Sequence, residues 1–410
     1  MSRLKRLTQS NSKRLEVLGV QDVRDTNETR FLHLIRDRQP VSRADLVRET
    51  GLNPGTVSLV VNRLLRNGFV YQAEEAPSKG GRRAVYLQVN AEKAYALGIS
   101  IGVHESVYLV SDFNGRILSQ RSLLTGKEPE AFLSKLGQEI AAHLKRNYRK
   151  SQFRAAGVTA PGLVDRQQGK LVYSPNLGWT HVQVARLLKK SLKLPVYLEN
   201  DANAAALSEL WYGPMEVAAA HSLLFVLVVE GIGTGFILNG ELYIGSRIGL
   251  GGFGHMQLDS QGPPCSCGNT GCWEALASDD ATVAHFLQEN PGRAKEIGSV
   301  RDLVFFALKG DKAACGQVLR MASLIGKGIR GLAQGLAPEV IVLGGEITEA
   351  WPLIEPELRK EIRSGYLIEG ISEPKLRRAS VDRPGMFGTI PLCLRSMFQN
   401  RSKREQEVTP

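Results

Sequence analysis

Along the N-terminal part of the chain, apolar residues fall at helical spacing in three short runs. In "ETRFLHLIRDRQ", Phe31, Leu32, Leu34 and Ile35 form one face, and Pro40 ends the run. Ser42 then caps a second predicted helix, "SRADLVRETG". Asp45 sits at the capping-box position, and Ala44, Leu46 and Val47 form the apolar face. Gly51 stops this helix where a helix-turn-helix needs a left-handed turn. Pro54 opens the third, "PGTVSLVVNRLLRNG", with Val57, Val60, Val61, Leu64 and Leu65 inward and Gly68 at its end. Two strands follow, Phe69 to Gln72 and Ala84 to Val89, joined by a loop carrying Lys79, Gly80, Gly81, Arg82 and Arg83.

After Asn90 the periodicity changes. "AYALGISIGVHESVYLVSDFNGRILSQRS" reads as strand, strand, Asn-Gly turn and strand. An amphipathic helix follows in "EAFLSKLGQEIAAHLKRNY", then a strand into a Pro-Gly turn in "FRAAGVTAPGLVD". "PVYLENDANAAALSELWYG" gives a strand and an alanine-rich helix. A second cycle starts at "SLLFVLVVEGIGTGFILNGELYIG", passes through further helices and ends in the strand "PEVIVLGGEIT". Two α/β lobes of similar order fit this pattern. The domain reading is 1–90 for the winged helix-turn-helix, 91–210 for a first lobe and 211–410 for a second, with a final helix returning to the first.

The bulk numbers narrow the class. A chain of 410 residues with 43% hydrophobic and 23% charged positions is a soluble globular protein of two or three domains. It has no long uninterrupted apolar span and no signal-peptide pattern, which points to the cytoplasm. The net charge of +11 is unevenly spread: the first 90 residues hold 16 Lys and Arg against 9 Asp and Glu. A basic three-helix unit with a wing is read either as a packing module or as a double-stranded DNA reader, and the joint pattern favours the second. The candidate DNA contacts are Ser42, Arg43, Asn53, Gly55, Thr56, Ser58, Asn62 and Arg63, with Lys79, Arg82 and Arg83 of the wing suited to a narrow minor groove.

Three of the five cysteines fall within eight residues, as His255-x9-Cys265-x-Cys267-x4-Cys272. Free thiols or a disulfide are the alternatives, but Cys265 and Cys267 are too close for an easy bridge and the cytoplasm disfavours one. Three thiolates and an imidazole make the four ligands of a closed, structural Zn2+ site, with Gly268 and Gly271 permitting the tight loop. The glycine groups at Gly102, Gly231 to Gly235, and Gly344 with Gly345 are strand-end turns or phosphate loops, and none matches a standard nucleotide fingerprint.

"GHMQ…CSCGNTGCWE", "APGLVD", "LENDANAAALSE", "EGIGTGFILNGEL" and "IVLGGEIT", in that order, resemble the ROK family (repressor, open reading frame, kinase) over residues 25–395. With the N-terminal winged helix-turn-helix, the chain is similar to the family's repressor branch, which holds the xylose and N-acetylglucosamine repressors. The resemblance implies an actin-like, ribonuclease H-like two-lobed ATPase fold with a sugar site in the cleft. It also implies a homodimer or homotetramer and control of carbohydrate metabolism genes. Asp201 matches the family's catalytic base, reusable as a hydrogen-bond acceptor, and Asn200 precedes it. Glu274 resembles the glutamate that holds ring hydroxyls, and Asn176 adds a contact. His255 would bind zinc through one nitrogen and the sugar through the other. Asn200 and Asp201 can equally be read as a helix cap.

Two departures matter. Family kinases carry an Asp and a Gly-Gly-Thr turn in the first strand pair. Here the stretch is "ISIGVHE", with Ser100 at the Asp position and Val103 and His104 in place of Gly and Thr. Phosphoryl transfer is mostly positioning and charge stabilisation, so the expectation is no kinase activity. Sugar-binding members read Glu-x-Gly-His where this chain reads "GFGH", with Gly252 at the Glu position. The functional reading is therefore a sugar-responsive DNA-binding repressor. A sugar kinase with an accessory DNA domain and a regulator controlled by protein contact are the alternatives.

Overall fold

The computed structural model describes residues 28, 31–73, 85–92, 95–149, 152–218, 220–245, 252–364 and 373–394. The chain divides into two compact units at Val89/Asn90.

In the first unit, helix α1 (31–38) buries Phe31, Leu32, Leu34 and Ile35. Strand β1 (Val41–Ser42) leads into α2 (Arg43–Thr50). The capping box is complete: Asp45 N donates to Ser42 Oγ at 3.2 Å, and Ser42 N donates to Asp45 Oδ2 at 2.9 Å. Gly51, in the left-handed region at φ 65°, turns the chain into α3 (Pro54–Asn67), whose first turn is capped by Asn53 Oδ1 accepting from Thr56 N at 2.8 Å. Val57, Val60, Val61 and Leu64 are buried as the spacing predicts, while Leu65 is only half-buried. In α2 the structure corrects the sequence reading: only Leu46 is buried, Val47 is half-buried and Ala44 is exposed. A two-turn helix crossing its neighbour presents little more than one position inward. Strands β2 (Val70–Ala73) and β3 (Tyr86–Val89) complete an antiparallel sheet of order β1-β3-β2, starting slightly later than the sequence suggests.

The second unit opens with β4 (Tyr95–Ser100), β5 (Glu105–Ser111) and β6 (Ile117–Leu124), an antiparallel meander. Helix α4 (Pro129–Asn147), strand β7 (Phe153–Ala160), a small sheet of β8 (Leu163–Asp165), β9 (Lys170–Ser174) and β10 (Trp179–Val182), helix α5 (Val184–Leu192) and strand β11 (Val196–Asn200) follow. The main sheet has the order β11-β7-β4-β5-β6, with β4, β7 and β11 parallel. Its core joins Leu97, Ile99 and Val158 to Leu133, Leu136 and Ile140 of α4 and Leu188 of α5.

Helix α6 (Asp201–Tyr212) and the short α7 (Met215–Ala218) lead to β12 (Ser222–Val228), β13 (Ile232–Leu238) and β14 (Glu241–Leu242). Next come α8 (Trp273–Ala277), α9 (Asp279–Glu289), α10 (Val300–Leu308) and α11 (Lys312–Leu336). The chain then runs through β15 (Val340–Gly344), α12 (Trp351–Arg363), β16 (Lys375–Arg378), α13 (Pro384–Phe387) and α14 (389–394). This sheet has the order β14-β13-β12-β15-β16: again an antiparallel meander followed by two parallel strands. The two lobes thus repeat one topology, the fold class read from the sequence.

Helix α6 joins the lobes. Its Ala202, Ala205 and Ala206 pack with Leu223, Phe225 and Val342 of the second sheet, so it lies on the second lobe although it follows the last strand of the first. The chain also returns: Thr389 lies against Gly98 and Gly157, and Cys393 Sγ donates to Ala155 O at 3.2 Å. A Cβ on Gly98 would sit 2.0 Å from Thr389 Oγ1. Bare backbone on the first sheet is what lets α14 seat there.

Candidate functional site

The cleft between the two lobes has a volume of about 1850 Å³. Strand ends and glycine turns of both lobes line it, which is where open α/β sheets hold ligands. Its lining includes Asn176, Asn200, Asp201, His255 and Glu274, and also Ser100, Val103, His104, Glu230 and Glu346.

In this lining Asn200 has both ends of its amide engaged. Its Oδ1 accepts from Ala202 N at 2.9 Å and Asn203 N at 3.1 Å, and its Nδ2 donates to Gly162 O at 3.0 Å. It caps α6 and ties that helix to the Pro161–Gly162 turn. Glu199, buried behind it, accepts from Asn200 N and Asn203 Nδ2 and pairs with Arg166 at 2.7 Å. Asp201 Oδ1 accepts from Ala202 N at 2.9 Å. Burial pushes its carboxyl up to about 6, helped by the nearby carboxylates of Glu230 and Glu274. Glu274 Oε2 accepts from Ile232 N at 3.0 Å. A side chain on Gly231 would start 2.5 Å from that oxygen and 3.1 Å from Asn176 Nδ2, so Gly231, Glu274 and Asn176 are drawn together across the cleft floor.

His255 ends a single 3-10 turn (Gly252–His255) and sits where the cleft meets the cysteine loop. The ligand atoms of His255, Cys265, Cys267 and Cys272 all lie within 4.8 Å of one another. His255 Nδ1 is 3.6 Å from Cys265 Sγ, and Cys267 Sγ is 3.7 Å from Cys272 Sγ. A tetrahedral zinc with ordinary bond lengths separates its sulfur ligands by about 3.8 Å and nitrogen from sulfur by about 3.6 Å. A disulfide requires about 2.05 Å. The four residues therefore fit a metal ion and exclude a bridge. Burial and the neighbouring Cys267 and Cys265 sulfurs push the Cys272 thiol up to about 12, the penalty that a cation at the centre removes. The loop closes tightly enough to need glycine: a Cβ on Gly271, at φ 60°, would fall 1.5 Å from Asp259 O. Trp273, fully buried in the core with Ile325 and Ile329 of α11, anchors the loop's exit.

Ser100 closes β4, and Val103 and His104 lie in the turn to β5. The sequence reading missed two carboxylates that line the same cleft. Glu230 precedes the glycine loop, and Glu346 follows Gly344 and Gly345. Beneath them, Asp279 is pushed up to about 8 by burial, then by Glu346 and Glu230. Arg301 pairs with Glu346 at 2.8 Å and with Glu349 at 3.3 Å, and Arg378 and Arg383 also line the cleft. Glu230, adjacent to "GIGTG", was visible in the sequence; its meeting with Asp279 and Glu346 was not.

In the first unit, Gly55 and Asn62 are exposed and Thr56 and Ser58 half-buried on the outer face of α3. Ser42 is buried and spent on its cap, and exposed Asn53 caps α3. Arg43 Nη2 donates to Asn62 Oδ1 at 2.8 Å, and Arg63 pairs with Glu28 at 3.5 Å. Leu59, which the sequence reading passed over, is 52% exposed on the same helix. An apolar residue off the buried stripe was its signal. Lys79, Arg82 and Arg83 lie outside the described residues.

A winged helix-turn-helix unit followed by a duplicated α/β body with a polar cleft defines a transcription-regulator architecture built on a sugar-kinase frame. The chain belongs to the ROK family, whose model matches residues 96–395, and residues 21–84 match the MarR family model. It is 32% identical over 346 residues to the xylose repressor of Bacillus subtilis (strain 168), covering 83% of this chain and 88% of that protein. It is 26% identical to the DNA-binding transcriptional dual regulator NagC of Escherichia coli (strain K12), covering 93% and 96%. The fold matches a crystal structure of a ROK family transcriptional regulator, a homologue of the E. coli MLC protein, with a TM-score of 0.75 at 24% identity, over 92% of this chain and 97% of that one. A ROK glucokinase from Streptomyces griseus, in complex with glucose and AMPPNP, matches with a TM-score of 0.65 at 26% identity, over 73% and 99%.

Proposed function

We propose that the protein is a sequence-specific DNA-binding repressor of carbohydrate metabolism genes, released or retained on its operator by a sugar bound in the cleft. One observation carries this reading. The chain joins a capped, winged helix-turn-helix to a cleft lined by Asp201, Glu274, His255 and Asn176, with Ser100 in place of the family kinases' phosphate-handling carboxylate. The names of the xylose repressor and of NagC support it.

In this reading Gly55, Thr56, Ser58 and Asn62 meet base edges, and Arg43 and Arg63 reach phosphates. Ser42 and Asn53 set the helices, and Lys79, Arg82 and Arg83 enter the minor groove. Asn176, Asp201, Glu274 and the free nitrogen of His255 take the sugar hydroxyls, and Asn200 holds Asp201 in place. His255, Cys265, Cys267 and Cys272 hold Zn2+. Bound zinc supplies a fixed tetrahedral centre with no open position for a reaction. The protein acts in the cytoplasm as a homodimer or homotetramer that pairs two reading heads. Among the described residues no helix is long and apolar enough to cross a membrane. The effector shifts DNA affinity only by its differential affinity for the two shapes of the protein.

The test is selection of full-length protein on a random DNA pool at physiological salt, with and without a sugar panel. A palindromic motif lost with one sugar supports the reading. A motif indifferent to every sugar points to control by protein contact, and no motif overturns it. In a coupled ATP assay over the same panel we expect no turnover above the protein-free blank, because Ser100 stands where the family kinases carry the carboxylate that anchors the metal-bound phosphates, and Glu230 and Glu346 add negative charge to the cleft lining. Rapid turnover would return the protein to the kinases.

A further inference from the structure

Helix α3 carries its exposed residues in one stripe. At about 100° per residue, Gly55, Leu59, Asn62 and Arg66 fall within about 60° of one another, and all four are exposed. The buried Val57, Val60, Val61 and Leu64 lie on the opposite side of the helix, in the core of the same unit. The stripe is therefore the face that α3 turns outward.

Three of its four residues suit a polar surface. Gly55 presents bare backbone near the start of the helix. Asn62 Oδ1 accepts from Arg43 Nη2 at 2.8 Å, and Arg66 Nε donates to Asn62 O at 3.4 Å. Those bonds hold an amide and a guanidinium along the stripe. Leu59 breaks the pattern. It lies one turn after Gly55, as the sixth of fourteen residues in α3, and is 52% exposed. A single exposed leucine on a protein surface needs no explanation. This one stands within the outward face of the third helix of a winged helix-turn-helix. It falls in the N-terminal half, the part that meets base edges when such a helix enters the major groove.

On duplex DNA the choice of partner for this side chain is narrow. Phosphates are charged and stay hydrated. Base edges in the major groove present donors and acceptors, and the C5 methyl of thymine is the only alkyl group among them. Leucine neither donates nor accepts. Against any other base edge it would strip water from a polar group and give nothing back. Against the thymine methyl, both partners leave water together.

We propose that Leu59 is a specificity-determining residue that packs on a thymine methyl, so that each operator half-site carries a T at one fixed position. The inference rests on the DNA-binding reading above and adds one base to it.

The experiment begins with the motif that the full-length protein selects from a random duplex pool. Each thymine of one half-site is then replaced in turn by deoxyuridine, which lacks only the C5 methyl. Affinities are measured by fluorescence anisotropy for the wild type and for Leu59→Ala. At one position deoxyuridine should weaken the wild type about fourfold, the worth of one methyl group taken out of water. At that position Leu59→Ala should bind the thymine and deoxyuridine duplexes equally. A repeated selection with Leu59→Gln should lose the T there and keep the other positions. Leu59 is exposed, so these substitutions do not threaten the core. A motif with no fixed T, deoxyuridine duplexes that all bind the wild type unchanged, or a penalty that persists in Leu59→Ala would each overturn the role of Leu59 and leave the DNA-binding reading standing. No selected motif at all overturns both.

Discussion

Cys272→Ser should abolish metal binding and, with it, most effector binding. Purified wild-type protein is expected to carry one zinc per chain, and the variant less than about a tenth of that, because serine does not replace a buried thiolate on a tetrahedral ion. The effect should reach the cleft by two short routes. Glu274 lies two residues after Cys272, and its position depends on the loop exit at Trp273. Among the described residues His255 is held by the cluster itself, through Cys265. Losing the ion frees both, and effector affinity should fall by about tenfold or more, the usual scale for loosened groups around a metal site. Cys315→Ser, on α11 outside the cluster, serves as the control and should leave both quantities unchanged. Elemental analysis and calorimetry on the two variants decide it. A Cys272→Ser protein with full zinc content would remove this residue from the ligand set.

Asp201→Asn is expected to weaken the effector by about 10- to 100-fold at pH 7.5, the worth of a charge-assisted hydrogen bond in a buried site. Asparagine keeps the shape and the bond from Ala202 N, so the start of α6 should survive. The pH profile gives the sharper test. With a carboxyl pushed up to about 6, wild-type Asp201 is ionised above that value and takes up a proton below it. Effector affinity should therefore be flat above pH 7 and fall by up to about tenfold per unit below pH 6. Asp201→Asn should lose that component and keep only what the metal cluster contributes. The fold responds in the opposite sense. Between the ordinary carboxyl value of 3.8 and about 6 the folded protein binds more protons at this site than the unfolded chain, so stability from this group rises as pH falls through that window. Identical pH profiles for the two proteins would remove Asp201 from the site.

The sequence carried those parts of the molecule that local chemistry decides. Ser42 and Asp45, Asn53 and Thr56, Gly51 and Gly68 each act within a few residues, and every helix end they mark is where they put it. The cysteine spacing was legible for the same reason. Non-local outcomes were not. Ala44 reads as apolar and is exposed, because crossing geometry and not composition chooses the inward position. Asn200 reads as a sugar contact or a helix cap, and the cap and its tie to Gly162 O became visible only in three dimensions. The acidic group of Glu230, Asp279 and Glu346 comes from three distant segments, and Tyr173 joins the cleft through a small sheet that short polar strands did not announce. Asp201 and Glu274 were legible by resemblance, and their charge environment only by structure.

The returning helix sets an order of assembly on the ribosome. The first lobe's strands β4 and β7 leave bare backbone at Gly98 and Gly157 against which Thr389 and Cys393 of α14 are seated. While the intervening second lobe is being made, that surface stays open. The helices and strands described for the helix-turn-helix come from one contiguous stretch, 31–89. A nascent chain therefore holds a complete reading head well before it holds a cleft, and chaperones would find their binding surface on the unfinished first lobe.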